Sequence, residues 1–137
     1  MKTGIVIFAH GSSVASANDA VRAVVDQVAR QGGFELVEAA FLEQGAPDLA
    51  GAVARLAARG ASRILVTPYF LTLGLHLQRD LPRIVADVAR IQTDVEIRVT
   101  PPLDGHPAMA QALIERAREG ELNWNAAPDD GEIVGIQ

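Results

Sequence analysis

The chain has 137 residues, a net charge of −5 and no cysteine. These values fit one globular domain and exclude disulfides and thiolate metal sites. No Lys/Arg cluster argues for a nucleic-acid partner, and no apolar run approaches the roughly 20 residues of a membrane span.

Hydrophobic residues make up 49% and charged residues 21%, the balance of a folded protein. Met1-Lys2-Thr3-Gly4-Ile5 enters a strand directly, without the apolar segment and cleavage site of a secretory signal, so a cytoplasmic location is expected. Gly4 to Ala9 is a continuous apolar run and reads as the first strand. Val21, Val24, Val25 and Val28 recur at helical spacing, and Gly32-Gly33 stop that helix. Phe34 to Leu42 reads as the second strand. Pro47 can open the next helix, which carries Leu49, Val53 and Leu56 on one face and stops at Gly60. Ile64 to Thr67 is the third strand, closed by Pro68. A loop through Tyr69 to His76 follows, then a helix marked by Leu81, Ile84, Val85, Val88 and Ile91. In that helix Asp80 is the expected cap, with Pro82 in the first turn, where no amide partner is lost. Val95, Ile97 and Val99 alternate as the fourth strand, and Pro107 opens a last helix through Met109, Ala110, Leu113 and Ala117.

Strand-helix alternation with short connections predicts an α/β fold, a single-domain parallel sheet of four strands with helices on both faces. The apolar first and third strands suit the centre. Glu35 and Glu38 on the second strand, and Glu96 and Arg98 on the fourth, suit the edges. The order 2-1-3-4 follows, with a crevice between the carboxyl ends of strands one and three. The domain is expected over 1–119. Residues 120–137, with the turn-like Pro128-Asp129-Asp130-Gly131, read as a mobile or partner-covered extension on which Trp124 is a candidate anchor.

Three side chains follow strands that end at this rim. His10 leaves the first strand in Ala9-His10-Gly11-Ser12-Ser13, where Gly11 permits a sharp turn and Ser12 or Ser13 can cap the next helix, whose amide end favours anions. Glu43 ends the second strand; it can ligate a metal, accept protons or orient a histidine, or simply be solvated. His76 closes the loop after the third strand. That loop is unusually apolar, and Phe70, Leu71, Leu73, Leu75 and Leu77 form either a pocket wall or a subunit contact. Two imidazoles and a carboxylate suit a borderline divalent ion such as cobalt, nickel, iron or zinc. His106, before Pro107, reads as a helix cap. Arg79 and Arg83 are candidates for binding ligand carboxylates.

Other chemistries fail on spacing. There is no G-x-S-x-G elbow, and neither a P-loop nor a G-x-G-x-x-G turn follows the first strand. A phosphate-transfer receiver needs acidic residues where Ala9-His10-Gly11 and Thr67-Pro68 stand. A histidine phosphatase needs an arginine where Ala9 stands.

The stretches Ile7-Phe8-Ala9-His10-Gly11-Ser12, Ala40-Phe41-Leu42-Glu43 and Pro68-Tyr69-Phe70-Leu71-Thr72-Leu73-Gly74-Leu75-His76 together resemble the small sirohydrochlorin chelatases, the CbiX-type cobaltochelatases and SirB-type ferrochelatases. Leu103 to Pro107 resembles that family's last strand-helix junction, and the likeness covers roughly residues 4–118. The resemblance implies a class II chelatase fold and insertion of a divalent ion into sirohydrochlorin. Cobalt is favoured, with Fe²⁺ or Ni²⁺ as alternatives. The ion is then a substrate, and no permanently bound cofactor is expected. His10, Glu43 and His76 become the metal-handling and proton-accepting residues. The loop with Tyr69, Phe70 and Leu71 faces the macrocycle, and Ser12, Ser13 and Arg79 meet its peripheral carboxylates. Some members carry two such domains in one chain, so a homodimer is implied here. The alternative readings are a non-catalytic metal or tetrapyrrole carrier on the same domain and, more weakly, a subunit whose apolar loop and tail bind another protein.

Overall fold

The computed structural model describes residues 1–126, in two compact units, Met1–Asp104 and the residues from Gly105 onward. In the first unit the order is β1 (Lys2–Ala9), α1 (Ala15–Gly32), β2 (Val37–Phe41), α2 (Leu49–Ala58), β3 (Ala61–Pro68), α3 (Leu75–Ile91) and β4 (Glu96–Val99). The four strands form one parallel sheet in the order β2-β1-β3-β4, as the strand chemistry predicts.

Helices lie on both faces. On one, α2 and α3 bring Leu49, Val53, Leu56, Leu81 and Val88 against Val6, Phe8, Ala40, Ile64 and Val66. On the other, Val25 of α1, with Val21 and Val28 beside it, packs on Ile5, Ile7, Ala9, Ala39 and Phe41. Gly4 to Ala9 are all buried, whereas β3 alternates, with Ser62, Leu65 and Thr67 half-buried and Arg63 exposed. β3 is therefore less enclosed than its composition suggests. The edge charges are paired: Glu38 lies 3.5 Å from Arg55 and 3.9 Å from Arg59, and Glu35 lies 3.5 Å from Lys2.

Four local expectations are corrected. β2 starts at Val37 rather than Phe34, because Phe34 belongs to the end of α1. Gly33 is left-handed (φ 68°), the Phe34 amide donates back to the Ala29 carbonyl at 3.0 Å, and the Phe34 ring lies over Gly32. α2 starts at Leu49 rather than at Pro47, with Asp48 as its cap, the carboxylate accepting from the Gly51 amide at 2.8 Å. α3 begins at Leu75, so neither Asp80 nor Pro82 lies in its first turn. Pro82 and Gln78, whose carbonyl Pro82 leaves without an amide donor, are both exposed, and water can serve that carbonyl. Ser12 and Ser13 do not cap α1, which starts at Ala15 without a side-chain cap. The Ser12 hydroxyl instead accepts from the Val14 amide at 3.0 Å.

The second unit contains α4 (Pro107–Leu122), capped as expected by His106, whose Nδ1 accepts from the Ala108 amide at 3.0 Å. Leu113 and Trp124 are largely exposed. The expected extension from 120 onward falls mostly on residues 127–137, outside the described residues.

Leu56 is fully buried against β1, where a Cβ on Gly4 would sit 3.0 Å from its Cδ1. Leu56→Ala should therefore lower stability by about 2–5 kcal/mol, read as a lower urea midpoint with an unchanged slope.

Candidate metal centre

The parallel register decides where the rim residues fall. Ala9 is opposite Phe41, and Phe8 is opposite Pro68, so β1, β2 and β3 end almost level. Backbone pairing continues past the strand ends. The Leu42 amide donates to the Ala9 carbonyl (2.9 Å), the Glu43 amide to the His10 carbonyl (3.0 Å) and the Tyr69 amide to the Phe8 carbonyl (2.8 Å). His10 and Glu43 thus leave neighbouring strands as bonded partners.

Their side chains meet: His10 Nε2 lies 3.5 Å from Glu43 Oε1, and both side chains are 59% exposed. His10 Nδ1 lies 3.1 Å from the Gly11 carbonyl. A carbonyl can only accept, so a ring proton on Nδ1 would satisfy that contact. In that tautomer the Nε2 lone pair faces the carboxylate and is free to bind a cation.

Gly11 makes this approach sterically feasible. Its φ is +92°, and a Cβ there would stand 1.7 Å from the Glu43 carbonyl oxygen. No side chain fits in that space, so the glycine is required by contact as well as by conformation.

His76 sits in the first turn of α3 rather than in the loop before it. It and His10 line one cleft of about 320 Å³, walled by Leu42, Phe70, Leu75, Leu77 and Ile84, with Thr72 and Asp80 as polar members. Phe70 is held edge-on against Phe8, ring centres 6.2 Å apart. The apolar loop divides its residues. Phe70, Leu75 and Leu77 face this cleft, Leu73 turns inward and is buried, and Leu71 is 76% exposed. Tyr69 is also exposed and does not line the cleft, nor do Ser12, Ser13 and Arg79. Arg83 pairs with Asp80 at 3.4 Å. Among the described residues no three His, Asp or Glu side chains close on a single metal position. His10 is thus paired with Glu43 and shares one cleft with His76.

Three contributors escaped the sequence reading. Asp104 accepts from the Leu73 amide at 3.1 and 3.3 Å and so pins the loop that leads into His76. Asp80 faces the cleft one helical turn beyond His76. Asn18, in α1, is the one polar side chain buried among the described residues. Its Oδ1 accepts from the Ser12 amide (3.0 Å), and its Nδ2 donates to the carbonyls of Ser12 and Gln44 (both 2.9 Å). A signal for Asn18 existed: it stands three residues before Val21 and seven before Val25, a polar residue on the apolar stripe of its helix.

The Gly11 contact yields a direct test. Gly11→Ala must push the Glu43 carbonyl away, so stability should fall by more than about 1 kcal/mol. The Glu43 amide, bonded to His10, should exchange its hydrogen faster while core amides of β1 stay protected.

Comparison with known proteins bears on this geometry. The family model described as CbiX matches residues 4–120. The chain is 29% identical over 135 residues to the sirohydrochlorin cobaltochelatase of Methanopyrus kandleri, an alignment covering 84% of this chain and 94% of that protein. It is 30% identical over 113 residues to the chloroplastic sirohydrochlorin ferrochelatase of Arabidopsis thaliana, covering 82% of this chain and 50% of that longer protein. The crystal structure of a putative cobalamin biosynthesis CbiX protein from Marinobacter aquaeolei VT8 superposes with a TM-score of 0.77 at 27% identity, covering 88% of this chain and 98% of that one. A family model that spans nearly the whole chain, on a sheet of matching topology, means that this protein belongs to the CbiX family.

Proposed function

We propose that this chain inserts a divalent metal ion into sirohydrochlorin, with cobalt favoured and iron or nickel as alternatives. The observation that carries the proposal is the His10–Glu43 pair, 3.5 Å apart, in which His10 lines an apolar cleft together with His76. Family membership supplies the substrate class, and the names of the relatives point to cobalt in one case and iron in another.

The physical demands of the reaction match the site. The protein must hold the ion loosely enough to surrender it to four pyrrolic nitrogens. An exposed imidazole-carboxylate pair without a closed three-ligand cage is such a weak, open holder. Two protons leave the macrocycle as the dication enters, so charge is conserved. His10 Nε2 holds the metal first; once the ion has passed to the ring, the same lone pair can take a proton. Glu43 is the second acceptor and relays protons to solvent, to which it is open. His76, which lines the same cleft as His10, guides the ion or accepts a proton. The His10 imidazole must be neutral to bind the ion, and it returns to that state when its proton passes to solvent.

The cleft walls suit a flat ring: Phe70, Leu42 and Ile84 offer apolar contact. At about 320 Å³ the cleft takes only part of a tetrapyrrole. The exposed Tyr69 and Leu71 extend the apolar surface beyond it, and Ser12, Ser13 and Arg79 are the donors assigned to the ring's carboxylates. A second copy of the chain would cover the remainder of the ring. The working unit in this proposal is therefore a homodimer.

The test follows sirohydrochlorin absorbance with Co²⁺, Fe²⁺ or Ni²⁺ against the metal-only rate. The wild-type chain should accelerate insertion, and His10→Ala should reduce that acceleration by about a hundredfold or more. Glu43→Gln and His76→Ala should each reduce it by a smaller factor. Metal or tetrapyrrole binding without any acceleration would instead identify a carrier, and full activity in a His10→Ala/His76→Ala double variant would reject the site assignment.

A further inference from the structure

We infer that Asn18 is a positioning residue for metal transfer, which sets the spacing between His10 and Glu43 from beneath. The inference deepens the proposed chelatase reading and rests on it. Past the strand ends, backbone pairing between the two loops runs from the Leu42 amide to the Ala9 carbonyl and ends with the bond from the Glu43 amide to the His10 carbonyl. Asn18 ties the loops together beyond that last bond. Its amide group reaches both loops at once, taking the Ser12 amide and carbonyl on one side and the Gln44 carbonyl on the other. Ser12 is two residues from His10, and Gln44 is next to Glu43.

The bonding pattern is specific to an amide. Both Nδ2 hydrogens point at carbonyls, and Oδ1 faces an N–H. An isosteric carboxylate would set an oxygen against two carbonyl oxygens, and an alanine would remove the bonds that join the half-buried Ser12 backbone to the Gln44 carbonyl. The surroundings hold the amide in place. A Cβ on Gly45 would come 3.1 Å from Nδ2, and Gln44 adopts a positive φ of 53°, presenting its carbonyl to Asn18. Nothing about sheet formation needs an amide here, since the neighbouring stripe residues Val21 and Val25 pack the same face of α1 without one. The buried polar group is explained by what it fixes, the separation of the two metal-facing side chains, and not by the packing of α1.

The experiment compares Asn18→Ala and Asn18→Asp with Val25→Ala, a change in the α1 core that removes no hydrogen bond to either loop. All are assayed for Co²⁺ insertion into sirohydrochlorin below their melting temperatures, together with direct titration of the tetrapyrrole-free proteins with Co²⁺. Both Asn18 variants should raise the KM for Co²⁺ and weaken its direct binding by about tenfold or more, the scale seen when a residue supporting a metal ligand is removed. The KM for sirohydrochlorin should stay near wild type. Val25→Ala should lower the melting temperature and leave both KM values unchanged. If the Asn18 variants behave like Val25→Ala, the positioning role is overturned while the chelatase reading stands. If the wild type itself does not accelerate insertion, that reading has failed at its own level.

Discussion

The carbonyl of Glu43 fills the space where a side chain at position 11 would be. That one close approach organises the site. It lets the loop after β1 lie directly on the loop after β2, lets the Glu43 amide reach the His10 carbonyl, and leaves the imidazole and carboxylate 3.5 Å apart above the sheet. A parallel sheet without it would still end β1 and β2 side by side, but their side chains would be carried on separate loops with no common register.

The topology does the rest. β1 is buried throughout from Gly4 to Ala9 because it lies between β2 and β3 with helices on both faces. The chain winds toward β2 after β1 and toward β4 after β3, so the connections part and open a cleft at the carboxyl rim. His10 lines that opening from the end of β1. His76 lines it from the first turn of α3, with Asp104 holding the preceding loop by the Leu73 amide. The result is an exposed imidazole-carboxylate pair whose imidazole lines an apolar trough. In the proposed function the pair holds the cation and the trough holds part of the flat ring, without enclosing either.

Much of this was legible because it rests on patterns that survive without coordinates. Continuous apolar strands, charges on the edge strands and the valine stripe of α1 gave the sheet order, and with it the shared rim of His10, Glu43 and His76. What escaped depends on local geometry. Phe34 is a good strand residue by type, yet the left-handed Gly33 turns it back over Gly32, and β2 loses its expected first residues. Asp80 and Pro82 resemble a helix start, but Leu77 packs on the core beside Leu81 and Ile84 and continues the apolar stripe backward, and Pro82 is tolerated on the solvent side. The serines after His10 look like caps, while the turn they occupy ends before α1 begins. Asn18 stood in plain view on the apolar stripe. Its meaning required knowing that two loops pass over it.

The most direct measurement is X-ray absorption at the cobalt edge, on the Co²⁺-loaded protein without tetrapyrrole and on its His10→Ala variant. A first shell of imidazole nitrogen and carboxylate oxygen in the wild type, losing its imidazole scattering in the variant, is the expected result. A fully hydrated cobalt ion, or an imidazole signal unchanged by loss of His10, would contradict a site built on the His10–Glu43 pair.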